Sequence, residues 1–334
     1  ILPLIMETGG VIITFKKGVE KLIDGKEKNY TISYYRNNKD LLKDFHNLKI
    51  DVLVHPSFSV QRFKKFSGIK HVQIFHGISD KPFSFHKSLK YYDLITVPGL
   101  KKKEDIIKKG LARQDKIAVI GYPKLDFFLN SHFDSEAFKN KIELDPSRRI
   151  VLYSPTWVDR NKVSSFSKYV VSVLRNLRDF NVIVKPHPDI LRYRPWQILK
   201  AYVMKRKNCF IYPGSLNVLP FMAVSDILLT DISAVAQEYL PFDRPIIFLH
   251  PKPGSDIPPE RTWIWRCGDV VVDKNKILNA VKENLSSPDK YKSQREKALG
   301  FIFLEFDGKS ALRFKELLLD LAVRRLPLEQ TSYQ

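Results

Sequence analysis

The chain has 334 residues, 44% hydrophobic and 28% charged, a globular composition that excludes a disordered, fibrous or collagenous protein and a length that suits two domains. Its 56 Lys and Arg against 36 Asp and Glu give a net charge of +20, shared evenly between residues 1–135 and 136–334, so the excess is no detachable tail and implies a polyanionic partner. Cys209 and Cys267 have no CxxC or His/Cys spacing, which excludes a disulfide framework and a zinc cluster, and no run approaches the roughly 20 apolar residues of a membrane span.

Short apolar, β-branched runs recur with helical or polar stretches between them, the pattern of a parallel α/β sheet covered on both faces. In the first half they are Val11–Phe15, Thr31–Tyr35, Asp51–Val54, Val72–Phe75, Leu94–Val97 and Ile117–Ile120. The polar stretch Asn130–Arg149 reads as the inter-domain linker. The second half repeats the pattern with Ile150–Tyr153, Val182–Val184, Cys209–Tyr212, Ile227–Leu229, Ile246–Leu249 and Val270–Val272. Helical spacing is clearest in Phe166–Leu177, Lys276–Leu285 and Ala311–Ala322, the last expected to pack across the domains. The expected division is residues 1–135, residues 145–310, and a C-terminal helix and tail over 311–334.

In such sheets ligands sit at the carboxyl ends of the strands, so the residues after each run are the candidate site. His76-Gly77 follows one run: an imidazole there can act as general base, and the glycine permits close approach. Ser154-Pro155-Thr156-Trp157 follows another, and Lys185-Pro186-His187-Pro188 holds a cation and an imidazole between two stiffening prolines, suited to a pyrophosphate. Thr230-Asp231-Ile232-Ser233 precedes a predicted helix, with Asp231 or Ser233 as its N-cap. Such a start offers amides and hydroxyls to an anion, while Asp231 itself, repelled by phosphate, would orient a histidine, a hydroxyl or the loop amides. GxxxxGK[ST], GxGxxG, GxSxG and Asp-x-Asp are all absent, which points to phosphate binding by cations and amides rather than by a metal.

These strings, together with Val224-Ser225-Asp226-Ile227, Arg244-Pro245-Ile246-Ile247-Phe248 and Asp307-Gly308-Lys309-Ser310, run in an order that resembles the CDP-glycerol glycerophosphotransferase family of wall teichoic acid primases and polymerases. Gly121-Tyr122-Pro123-Lys124-Leu125-Asp126 fits the same resemblance, which covers about residues 70–315. It implies a GT-B-like α/β fold, two Rossmann-like domains with parallel sheets facing a cleft. It also implies transfer of glycerol phosphate from CDP-glycerol, or a related CDP-polyol, to a hydroxyl of a lipid-linked saccharide acceptor with release of CMP. The resemblance carries over His76 as general base, His187 in the pyrophosphate-binding loop, and Thr230, Asp231 and Ser233 at the donor-binding helix start; the site expected overall has His76, His187 and Asp231 as catalytic groups and Gly77, Thr156, Lys185, Ser225, Asp226, Thr230, Ser233 and Arg266 as substrate contacts. The chain departs from the family pattern at Asp231-Ile232-Ser233-Ala234 and across Pro258–Asp269, which includes Trp263, Trp265 and Arg266.

No cofactor or metal is expected. The +20 charge fits peripheral binding at the cytoplasmic face of the membrane, on an anionic lipid surface, through Lys64, Lys65, Lys81, Lys87, Lys90 and Lys101–Lys103. Two other enzyme readings share the fold: sugar transfer from a nucleotide sugar, and ribitol phosphate transfer from CDP-ribitol. Nucleic acid is not an expected partner, because the aromatics sit mostly inside apolar runs and no recognition motif is present.

Overall fold

The computed structural model describes residues 2–17, 30–75, 77–157, 164–214, 217–252, 254 and 257–323. The chain divides into two compact units: Ile1–His76, Pro82–Ser131 and Ile302–Gln334 form the first, and Gly77–Lys81 and His132–Phe301 form the second.

In the first unit, β1 (Gly10–Thr14) and β2 (Tyr30–Tyr34) form a parallel pair. β3 (Val52–His55), β4 (Lys70–Gln73), β5 (Leu94–Val97) and β6 (Ile117–Val119) form a parallel sheet in that order. The two-residue period of a strand sends alternate side chains of β5 to opposite faces. Ile95 and Val97 join Val60, Leu89, Tyr92 and Ile106 on one face, while Leu94 joins Leu4, Val72, Ile74, Ile120 and Phe314 on the other.

Phe314 belongs to the helix Ser310–Val323, so that helix is built into the first unit's core. The chain returns there at Ile302 rather than after residue 310. The Leu304 amide donates to the Pro98 carbonyl at 2.8 Å, the Phe303 ring stacks on Tyr122, and a Cβ on Gly99 would lie 2.3 Å from the Ile302 oxygen. The buried Asp126 carboxylate fixes the turn, accepting from the Gly308 and Ser310 amides and the Ser310 hydroxyl at 2.6–3.0 Å.

In the second unit, β7 (Ile150–Tyr153), β8 (Asn181–Val184), β9 (Cys209–Ile211), β10 (Ile227–Thr230), β11 (Ile246–Leu249) and β12 (Asp269–Val271) form one parallel sheet in the order β12-β11-β10-β7-β8-β9. The helix Phe166–Asn176 covers it, burying Phe166, Tyr169, Val170, Val173 and Leu174 at helical spacing. From His132 onward the stretch read as linker is part of this unit: Ser135–Lys141 is a helix capped by Asp134, and Phe138 sets its ring edge on Phe221 at 5.2 Å. From β7 the chain builds outward through β8 and β9, and from β10 outward through β11 and β12. The neighbours β7 and β10 are therefore the topological switch, and the crevice beyond their carboxyl ends is where such sheets take ligands.

Candidate functional site

The segments leaving β7 and β10 are tied together by their own polar groups. The Ser154 amide donates to Leu229 O at 2.9 Å, and the Thr230 hydroxyl returns a bond to Ser154 O at 2.7 Å. Asp231, fully buried, accepts from the Thr156 amide at 3.0 Å and from the Ser165 amide and hydroxyl at 2.9 Å each. Burial raises its carboxyl above the ordinary carboxylate range, against the pull of the Ser165 and Thr156 amides and of Lys81. Asp231 therefore shapes the loop around Thr156 instead of facing a ligand. Trp265 closes the same turn, its indole N–H donating to Asp231 O at 3.2 Å.

Lys81 enters from the short segment Gly77–Lys81. Its ammonium donates to Thr156 Oγ1 at 2.8 Å and lies 5.2 Å from the centre of the Trp157 ring. Asp80 holds the segment in place: its Oδ2 accepts from Gln237 Nε2 and from Trp263 Nε1, each at 2.7 Å. The departing loop Pro258–Asp269 thus has a structural task, with Trp263 anchoring Asp80 and Trp265 anchoring Asp231. Gly77 heads the segment in open space, where a Cβ would meet nothing within 4 Å.

Beyond β8, the Lys185 side chain is buried and donates to Gly214 O at 2.9 Å. His187 is exposed and caps the helix Pro188–Tyr193, its Nδ1 accepting the Asp189 amide at 3.2 Å. That bond selects the neutral tautomer with a proton on Nε2. Desolvation by the surrounding loops, then the charges of Lys81 and Lys185, hold the imidazole below its ordinary pKa, partly offset by Asp189. The Trp157 ring lies 6.2 Å from the imidazole centre, so Lys81 and His187 are both neighbours of Trp157 at the exits of β7 and β8.

Thr156, Lys185, His187, Thr230, Asp231 and Ser233 all lie at the carboxyl ends of this sheet, though Thr230 spends its hydroxyl on Ser154. The expected N-cap is formed by neither Asp231 nor Ser233: the helix there spans only Val235–Tyr239 with Ala234 at its N-cap position, and Ser233 Oγ accepts the Val235 amide at 3.3 Å. Ser225 and Asp226 lie at the opposite, amino end of β10. There Ser225 bonds Met222 O and Tyr239, while Asp226 accepts from Arg149 and the Ile150 amide at 2.8 and 2.7 Å. They brace the sheet and do not join the site. Arg266 is exposed, its guanidinium 5.2 Å from the Trp263 ring centre. His76 lies outside the described residues. Lys81, Asp80 and Gln237 carry no motif of their own. Lys81 was expected on a membrane surface, as were Lys101 and Lys102, and all three are buried, Lys102 over the Phe85 ring at 3.6 Å.

Residues 46–320 match the family described as CDP-glycerol:poly(glycerophosphate) glycerophosphotransferase. Over 173 residues the chain is 26% identical to a teichoic acid poly(glycerol phosphate) polymerase of Bacillus spizizenii, covering 50% of this chain and 43% of that one. Over 192 residues it is 26% identical to the teichoic acid glycerol-phosphate primase of the same organism, covering 56% and 47%. The chain thus spans less than half the length of these relatives. Among solved structures, a variant of the wall teichoic acid polymerase TagF soaked with CDPG superposes with a TM-score of 0.68 at 15% identity, covering 96% of this chain and 90% of that one. A UDP-N-acetylglucosamine 2-epimerase superposes with a TM-score of 0.64 at 15% identity, covering 100% and 95%. The GT-B-like α/β class expected from the sequence is the class observed, and it hosts more than one chemistry.

Proposed function

Because the chain belongs to the CDP-glycerol:poly(glycerophosphate) glycerophosphotransferase family, we propose that it transfers glycerol phosphate from CDP-glycerol to a hydroxyl of a lipid-linked saccharide acceptor and releases CMP. The observation that carries this reading is the group Lys81, Trp157 and His187 at the exits of β7 and β8, a cation 5.2 Å and an imidazole 6.2 Å from the centre of one aromatic ring. A pyrophosphate laid across it would receive charge-assisted bonds from Lys81 and the His187 Nε2–H, which also stabilise charge building on the equatorial oxygens and on departing CMP. In this reading, supported by the resemblance to the family, His76 takes the acceptor proton as the hydroxyl attacks the β-phosphorus; the bond from that phosphorus to the bridging oxygen breaks, and CMP leaves with the oxygen. Catalysis is then mainly positioning and electrostatics.

The lipid-linked acceptor places the enzyme at the cytoplasmic face of the membrane, on an anionic surface. No helix among the described residues is long and apolar enough to cross a bilayer. Calorimetric titration with CDP tests the donor site. Lys81→Ala and His187→Ala are each expected to weaken binding about tenfold or more, on the scale of a lost charge-assisted bond. Unchanged affinity in both variants would place the donor elsewhere.

A further inference from the structure

The two helices that follow His187, Pro188–Tyr193 and Pro195–Val203, are apolar on more than the face they bury. Ile190, Ile198 and Ala201 pack into the second unit's core. Yet Trp196, Leu199 and Val203, at helical spacing on another face, are 59%, 64% and 76% exposed, and Tyr193 beside them is 59% exposed. One exposed apolar residue is ordinary; a contiguous set led by Trp and Tyr marks an interaction surface. Residues 188–207 also hold six Lys and Arg against one acid, Asp189. Arg192 stacks its guanidinium over Tyr193, 5.1 Å from the ring centre, and Lys200 is exposed on the second helix.

We propose that this helix pair is a docking surface for an anionic phospholipid bilayer. Tyr193, Trp196, Leu199 and Val203 enter the headgroup layer, and the surrounding cations meet the lipid phosphates. An aromatic and aliphatic face ringed by Lys and Arg is the composition of a helix that lies in a membrane interface. A second copy of this chain fits the surface worse, since it would bring the same cations against each other. The inference rests on the reading of the acceptor as lipid-linked, and deepens it: His187 caps the first helix, so docking sets the edge of the donor loop at the lipid boundary.

The test uses the full chain and vesicles of phosphatidylcholine with or without phosphatidylglycerol. Binding is expected only with the anionic lipid. Phosphatidylglycerol brominated in its acyl chains should quench tryptophan fluorescence, and Trp196→Phe should remove most of that quenching while still sedimenting with the vesicles. The pair Leu199→Glu and Val203→Glu should lower vesicle affinity at least tenfold with CDP affinity unchanged. Undiminished quenching in Trp196→Phe, equal binding to neutral vesicles, or a change in oligomeric state instead of vesicle affinity would overturn the surface. Turnover of CDP-glycerol with a water-soluble acceptor analogue separates the two readings. Transfer without vesicle binding sinks the docking surface alone, and absence of transfer sinks the functional reading whatever the vesicles do.

Discussion

At the scale of single residues, charge in a confined place decides most of what the site can do. Desolvation first, and the Lys81 charge to a smaller extent, lower the pKa of His187, so Lys81→Ala should raise it, a shift readable by NMR titration of the imidazole. A His187 titration that does not move would remove Lys81 from its neighbourhood. Asp231→Asn keeps the shape but turns one acceptor into a donor facing the Thr156 or Ser165 amide. It should cost about 1–3 kcal/mol in chemical denaturation, and an equally stable variant would contradict the loop-shaping role. His55 offers a pH signature in the first unit. Its Nε2 lies 3.0 Å from His71 Nδ1 and its Nδ1 2.8 Å from Ser59 Oγ, and burial first, then His71, lowers its pKa from 6.5 to about 3. Between those values the unfolded chain carries the extra proton. Stability present above pH 6.5 is therefore lost on acidification, by up to about 1.4 kcal/mol per pH unit, and His55→Gln should flatten the slope. His187 and Asp231 were legible in the sequence because each ends an apolar run. Lys81 was not, because one lysine among many carries no mark until the fold sets it beside Thr156.

At the scale of elements, the strands were the most legible part. A strand buried on both faces must be a short apolar run, so Leu94–Val97, Ile150–Tyr153 and Ile246–Leu249 match their runs residue for residue. Capping was less legible, since a carboxylate before a helix can serve whichever amides the fold brings nearer: Asp231 takes those of Thr156 and Ser165, and Ala234 stands at the N-cap of the short helix. Ser225 and Asp226 belong to a recognisable string, but strand direction puts them at the amino end of β10, where Asp226 pairs with Arg149. The return at Ile302 left no compositional sign either, because it depends on a close approach at Gly99 and on the three bonds to Asp126. Asp126→Ala leaves the Gly308 and Ser310 amides without their acceptor and should destabilise the first unit by about 3 kcal/mol; near-normal stability in a denaturant melt would show that the turn holds without it.

At the scale of the whole molecule, the repeated strand pattern announced two parallel-sheet units, and the motif series announced their family. The boundaries moved because segments distant in sequence complete each unit: Gly77–Lys81 joins the second, and Ile302–Val323 joins the first. The net charge of +20 implied an anionic partner without locating it: Lys81, Lys101 and Lys102 are buried, whereas residues 188–207 combine six Lys and Arg with an exposed apolar face. His76→Ala belongs to this scale too, because it separates chemistry from donor binding. Turnover should fall about 100-fold or more with CDP affinity unchanged, and normal turnover would remove the base. The most direct measurement is product mass after incubating the protein with a lipid-linked disaccharide analogue and, in parallel, CDP-glycerol, CDP-ribitol and UDP-sugars. The expected result is acceptor enlarged by one or more glycerol phosphate units with equimolar CMP, from CDP-glycerol; a glycosidic product from a UDP-sugar with CDP-glycerol untouched would contradict it.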